Sequence, residues 1–234
     1  MQKRLFDLVV ATMLLALVAP LIMLGALGAA IALRSWPFFS QQRVGRHGRS
    51  FRFVKIRTLP PSTPCDADKY ALARLEVPRF CRALRRLHLD ELPQLLLVLC
   101  GHMSLVGPRP EMPRLHAYLD TEFASCRTAA KPGCTGLWQV GQACHRLIRE
   151  APEYDLFYLR HQSLRFDIYL LYRTVRLHLP SGQRLAIVDV PTWAIDHPPA
   201  HRRLAGPVVH WWTDRASNAR EPVTPFPSSY NGGA

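Results

Sequence analysis

Acidic residues are scarce in this chain. Seventeen aspartates and glutamates stand against 30 lysines and arginines, a formal net charge of +13 over 234 residues. Such an excess points to an anionic partner: nucleic acid, a phosphorylated substrate or an anionic lipid surface. Zinc spacing is also lacking. The six cysteines (Cys65, Cys81, Cys100, Cys126, Cys134 and Cys144) form no C-x-x-C pair, which excludes the common zinc ribbons. A chain this long and apolar needs no disulfide staples, so the six read as reduced thiols in a cytoplasmic setting. No nucleic-acid-binding motif and no aromatic ladder accompany the basic residues, which argues against nucleic acid.

Charge of either sign is missing from Leu8 to Leu33, "LVVATMLLALVAPLIMLGALGAAIAL". About 20 apolar residues suffice to cross a bilayer. Ala30-Ile31-Ala32 resembles a signal-peptidase box, but the run exceeds the usual h-region of about 7–15 residues. By length, a spanning helix is the default. A helix that enters and turns back is the alternative. Pro20 sits mid-run, where it breaks or kinks a helix. Basic residues flank both ends (Lys3 and Arg4, then Arg34, Arg43, Arg46 and Arg49), and only a re-entrant path keeps both flanks inside.

"FRFVKIRTL" (Phe51 to Leu59) alternates apolar with basic side chains, as a short strand with a basic face does. A juxtamembrane stripe touching lipid headgroups would read the same way. "PPSTPCDAD" is a loop. A helical stretch from Lys69 to Leu87 follows, interrupted at Pro78 and rich in arginine.

Then comes "HLDELPQL" (His88 to Leu95), an adjacent acidic pair in a basic neighbourhood. Asp90 has the look of a helix N-cap, with Pro93 in the first turn and Gly101 at the far end. On that reading Asp90 and Glu91 merely stabilise a helix start, by about 0.3–1 kcal/mol. The alternative is a reactive pair. Its support lies just downstream, where Pro108 and Pro110 fix the backbone on both sides of Arg109 after the short strand "MSLV". A pre-set guanidinium fork suits phosphate oxygens.

"KPGCTGLWQVGQ" is turn-rich, and its Trp138 reads as a packing residue. Glu153 to Leu179 reads as an amphipathic, basic helix pair, either interfacial or ordinarily packed. From Pro180 the chain is proline-rich and ends in a stretch of disordered character. His197, His201 and His210 have no ligand spacing.

Taken together, "KRLFDLVVA", "PFFSQQRVGRHGRSFRFVKIRTL", "LDELPQLLLVLCGHMSLVGPRPE", "KPGCTGLWQV" and "DIYLLYRTV" resemble the bacterial sugar transferases, the monotopic phosphoglycosyl transferases acting on polyprenyl phosphate. The resemblance runs from about Lys3 to about Leu179, in the minimal form. It implies an α+β fold, mainly helical and membrane-associated, with a re-entrant amino-terminal helix, short strands and amphipathic interfacial helices. The implied divisions are a membrane-inserted helix over 1–36, a cytoplasmic catalytic domain over 37–179 and an extension over 180–234.

The implied activity moves a sugar-1-phosphate from a UDP-sugar to undecaprenyl phosphate, the first membrane step of exopolysaccharide, capsule, O-antigen or glycoprotein glycan synthesis. Asp90 would be the nucleophile, forming an aspartyl-phosphosugar, and Glu91 would hold Mg²⁺. Lys55, Arg57, Arg85, Arg109, Gln139 and Asp167 would contact the substrates. The implied setting is the bacterial inner membrane, with the site on the cytoplasmic face, lipid as a partner and a homodimer allowed. A membrane-anchored basic adaptor and a Mg²⁺-dependent nucleotide-sugar hydrolase are the competing readings. The chain departs from the family at Ala19-Pro20 (usually Ser-Pro), His88, His102, Ile56 and Gly141-Gln142-Ala143. The last departure bears on which sugar or nucleotide fits.

Overall fold

An uncharged apolar run has little besides its backbone that needs water, and a helix pairs that backbone internally. In the computed structural model, which describes residues 1–64, 76–179 and 182–195, residues Gln2–Leu33 form one helix, α1. Pro20 lies inside it and does not divide it into two elements. Arg34 ends it in the left-handed conformation. The expected helix start at Lys69, Cys65 and the carboxy-terminal histidines lie outside the described residues.

One face of α1 rests on the rest of the molecule, and two different chemistries hold its two ends. Near the amino terminus the ties are polar. Arg4 donates to the carbonyls of Val98 and Leu99 at 2.6 and 3.0 Å. Asp7, buried, accepts from the Ser104 hydroxyl at 2.8 Å and the Leu105 amide at 3.2 Å. Near the carboxy terminus the tie is close packing. A Cβ at Gly28 would lie 2.4 Å from the Phe80 ring, and Ala29 is sealed against Ile56, Cys81 and Leu84. Between the ends, Met13, Leu17, Met23 and Leu24 point outward.

Strands β1 (Phe38–Val44) and β2 (Ser50–Ile56) form an antiparallel hairpin, with Phe39 opposite Lys55. Alternation buries Phe51 and Phe53 and leaves Arg52 out, as the sequence pattern requires. Helix α2 (Arg79–Arg86) follows, then a 3-10 turn over Leu89–Glu91 and helix α3 (Gln94–Leu99). Gly101, at φ +83°, ends that helix in a conformation natural to glycine.

Strand β3 (Ser104–Val106) pairs in parallel with β4 (Gly133–Thr135). The backbones nearly touch beyond it: a Cβ at Gly107 would lie 2.4 Å from the Lys131 carbonyl oxygen. Between these strands run α4 (Pro113–His116) and α5 (Thr121–Ala129), the latter capped by Asp120. After β4 come α6 (Leu137–Val140), α7 (Pro152–Arg160) and α8 (Leu164–Leu177), with Ser163 capping α8.

The principal core gathers β2, α3, β3, α7 and α8 around Val98, Val106, Tyr158, Phe166 and Leu170. A smaller cluster joins Ala29, Ile56, Cys81 and Leu84. The 3-10 turn and α3 together bridge the two: Leu89 of the turn packs on the smaller, Leu95 of α3 belongs to the larger. Helix α8 is packed on one side, while Ile168, Tyr172 and Val175 form an exposed apolar row on the other.

Packing continues past residue 179, where the sequence reading ends the catalytic domain. The Leu185 amide donates to the Val140 carbonyl at 2.9 Å, and Leu185, Val190 and Ala194 join the principal core. The five described cysteines are free thiols.

Candidate active site

The site begins at a break in the helix. His88 adopts φ 55°, ψ 20°, a left-handed conformation unusual for a side chain other than glycine or asparagine. The chain then reverses into the Leu89–Glu91 turn instead of entering a helix directly. This corrects the helix-cap reading. The N-cap residues of the turn and of α3 are His88 and Pro93, so Asp90 caps neither.

Asp90 is nevertheless 6% exposed. Burial pushes its carboxyl up to about 6, and the adjacent Glu91 adds to the rise, while Lys55 and Arg85 oppose it. Burial acts on Glu91 in the same direction, but there Arg109, Lys55 and His88 prevail and hold the carboxyl below its ordinary value. Arg109 Nη2 lies 3.4 Å from Glu91 Oε1. Two adjacent acids are thus driven apart by their surroundings, the pattern expected of a pair with divided roles.

Lys55 comes from the end of β2. Burial lowers its pKa, against the pull of Asp90 and Glu91. Arg57 lies two residues on, just past the strand's end. The Phe39 ring sits under both, 5.5 Å from the Lys55 ammonium and 5.7 Å from the Arg57 guanidinium carbon. Arg57 also donates to the Trp36 carbonyl at 3.2 Å. Arg85, exposed on α2, stands on the Asp90 side. Lys55, Arg85 and Arg109 therefore surround the two carboxylates from three different elements.

Gln139 on α6 keeps both side-chain amide atoms buried without a hydrogen-bond partner, beside Gly136. An unpaired amide at such a place is costly unless a ligand satisfies it. Asp167 is a correction. Expected to contact substrate, it is sealed in the interior, ion-paired to Lys3 of α1 and accepting from the Tyr158 hydroxyl at 2.7 Å. It has no surface left for a ligand, and the helix-cap role falls to Ser163.

Several side-chain pairings escaped sequence reasoning. Arg43 on β1 lies over the Phe53 ring, donates to Pro110 O at 3.2 Å and sits 3.8 Å from Glu111. His88 meets His178 edge-on at 5.6 Å. Arg127 and Asp155 form a buried ion pair at 2.6 Å. None belongs to a local pattern, because each partner lies far away in sequence.

Among the described residues no group of three or more His, Cys, Asp and Glu side chains comes together as a metal cage. Two carboxylates on one turn remain, a donor set suited to a hard cation that completes its shell with water and phosphate oxygens.

The chain resembles known proteins over most of its length. Over 188 residues it is 38% identical to a UDP-glucose:undecaprenyl-phosphate glucose-1-phosphate transferase of Caulobacter vibrioides, covering 75% of this chain and 68% of that one. It is 32% identical to a UDP-N-acetylgalactosamine-undecaprenyl-phosphate N-acetylgalactosaminephosphotransferase of Aeromonas hydrophila (74% and 43% covered). It is 35% identical to an undecaprenyl-phosphate galactose phosphotransferase of Salmonella typhimurium (76% and 40% covered). The chain thus spans about two fifths of the length of the last two. The sequence pattern of the bacterial sugar transferases matches residues 1–180, which take in α1, the acidic turn and the arginine loop alike, and the chain belongs to that family.

Proposed function

We propose that this protein transfers a sugar-1-phosphate from a UDP-sugar to undecaprenyl phosphate, through a phosphosugar carried on Asp90. The observation that carries the reading is the state of that carboxylate: buried, capping nothing, and ringed by cations from three elements.

In the first step an Asp90 oxygen attacks the phosphorus that bears the sugar. The bond from that phosphorus to the bridging oxygen breaks, and uridine monophosphate leaves with the electron pair. In the second, a phosphate oxygen of the lipid attacks the same phosphorus and the Asp90 carboxylate departs. A carboxylate is a competent nucleophile of this kind. Lys55, Arg85 and Arg109 neutralise the phosphate charge that accumulates, which is most of what such a reaction asks of a protein. Arg57, beside Lys55 on the Phe39 ring, and the unpaired amide of Gln139 are further candidates to contact the substrates. Glu91, held anionic by Arg109, is the carboxylate that would hold Mg²⁺. When bound, that ion would offset diphosphate charge.

The site works at a membrane surface. A straight helix of 32 residues is about 48 Å long, against about 30 Å of hydrocarbon. If α1 crossed the bilayer, one end would be carried away from the catalytic body. Instead its Lys3–Asp7 end and its Gly25–Ala29 end are both tied to that body, which supports the re-entrant reading, with both basic flanks on one side of the membrane. The exposed apolar row of α8 suits the interface.

The relatives named above carry glucose, N-acetylgalactosamine and galactose in their names, so the donor has to be found by trial. The test is uridine monophosphate release from a panel of UDP-sugars, with Mg²⁺ and undecaprenyl phosphate, by wild type and by Asp90→Asn. Sustained release that needs the lipid and vanishes in the variant is expected. Sustained release without lipid would make the protein a hydrolase.

A further inference from the structure

The loop that carries Arg109 cannot hold itself in place. Pro108 and Pro110 have no amide hydrogen to donate, so apart from the Gly107 amide, which donates to Thr135 O at 2.9 Å, the loop's order comes largely from donors elsewhere that reach its carbonyls. Lys3 Nζ and the Tyr158 hydroxyl donate to Val106 O at 3.1 and 3.0 Å. The Gly133 amide donates to Pro108 O at 2.9 Å, and Arg43 to Pro110 O at 3.2 Å. The carbonyl of Arg109 itself accepts from Arg127 Nη2.

Arg127 is an unusual donor. It lies on α5, its side chain 4% exposed, and its Nε is paired with Asp155 of α7 at 2.6 Å. A buried ion pair is no strong source of stability, since an apolar pair of like volume often does as well. What this pair provides is direction. Asp155 fixes one edge of the guanidinium, and the other edge then fixes the peptide plane that follows the Arg109 Cα. That plane sets the backbone from which the Arg109 side chain reaches Glu91.

We propose that Arg127, oriented by Asp155, is a positioning residue that aims the Arg109 guanidinium at substrate phosphate. The inference rests on reading Arg109 as a phosphate ligand.

Arg127→Ala would strand a buried carboxylate and is the wrong probe. Arg127→Lys keeps the charge for Asp155 but cannot serve two acceptors through a fixed fork. A second variant, Arg127→Met with Asp155→Leu, removes the pair and leaves no buried charge. The readout is UDP affinity by calorimetry, which needs no turnover, with melting temperature followed alongside. We expect Arg127→Lys to melt close to wild type and to bind UDP about tenfold more weakly. The apolar double variant should lose about as much. In an Arg109→Ala background, Arg127→Lys should change UDP affinity by less than about twofold, because the group it acts through is gone.

Wild-type affinity in both Arg127 variants would overturn the proposal. So would an undiminished effect of Arg127→Lys in the Arg109→Ala background, or unchanged UDP binding by Arg109→Ala alone. UDP binding without turnover on any UDP-sugar would overturn the transferase reading and leave this one standing. Absence of UDP binding by wild type would overturn both.

Discussion

Asp90 and Asp167 are two of the four aspartates almost sealed from water among the described residues. Asp90 is 6% exposed and Asp167 is 0% exposed, and burial raises the pKa of both. They differ in their partners. Asp167 is bonded to Lys3 and to the Tyr158 hydroxyl, so its interior position is satisfied. Asp90 has no salt bridge among the described residues, although Lys55 and Arg85 are near enough to act on its charge. A buried carboxylate with its bonds made holds a structure together. One with cations only at a distance fits the role proposed for Asp90, which a phosphate-bearing substrate would complete. Titration shifts alone do not separate the two cases; the geometry of partners does.

The largest contrast should appear in activity. Asp90→Asn is expected to lower uridine monophosphate release at least about a thousandfold, as loss of a nucleophile does. Asp167→Asn should leave release by the folded protein within a small factor of wild type.

Stability should reverse that order. Asp167→Ala leaves the Lys3 charge without its counter-ion, with only the Val106 carbonyl to accept from it, and should cost about 3 kcal/mol, read as a fall in melting temperature. Asp90→Asn should stabilise the metal-free protein at neutral and alkaline pH. The folded state binds a proton on Asp90 up to about pH 6, whereas the unfolded chain releases it near pH ~4. Wild type therefore loses stability as pH rises between those values, and the deficit remains above them. Two units correspond to about 3 kcal/mol as a ceiling. Melting curves of the two proteins should coincide near pH 4 and separate fully above pH 6. Coincidence at pH 8 would mean that Asp90 is not strained.

The smallest effect concerns the cations themselves. Phe39→Leu removes the ring beneath Lys55 and Arg57 and should weaken UDP binding about twofold to fivefold, with Phe39→Tyr restoring it.

The sequence made some of this legible and hid the rest for physical reasons. The long apolar helix, the basic strand and the short strand before Gly-Pro-Arg-Pro are local patterns, and each is present as an element. The acidic pair and Arg109 were visible through their neighbours in the chain. Asp90 read equally well as a cap because capping depends on a backbone turn, and the left-handed His88 that spoils it leaves no periodic trace. Asp167 was misassigned because its true partner, Lys3, lies 164 residues away. Arg127 and Asp155 were invisible for the same reason, and so was the return of Leu185 to the core.

The decisive experiment omits the lipid. Purified protein is mixed with Mg²⁺ and its UDP-sugar in the absence of polyprenyl phosphate, quenched, and weighed intact and after digestion. The expected result is one equivalent of uridine monophosphate per enzyme, and one sugar phosphate added to the peptide holding Asp90. No release until undecaprenyl phosphate is supplied, with no adduct at Asp90, would mean direct transfer between the two substrates and would contradict the covalent role assigned to this residue.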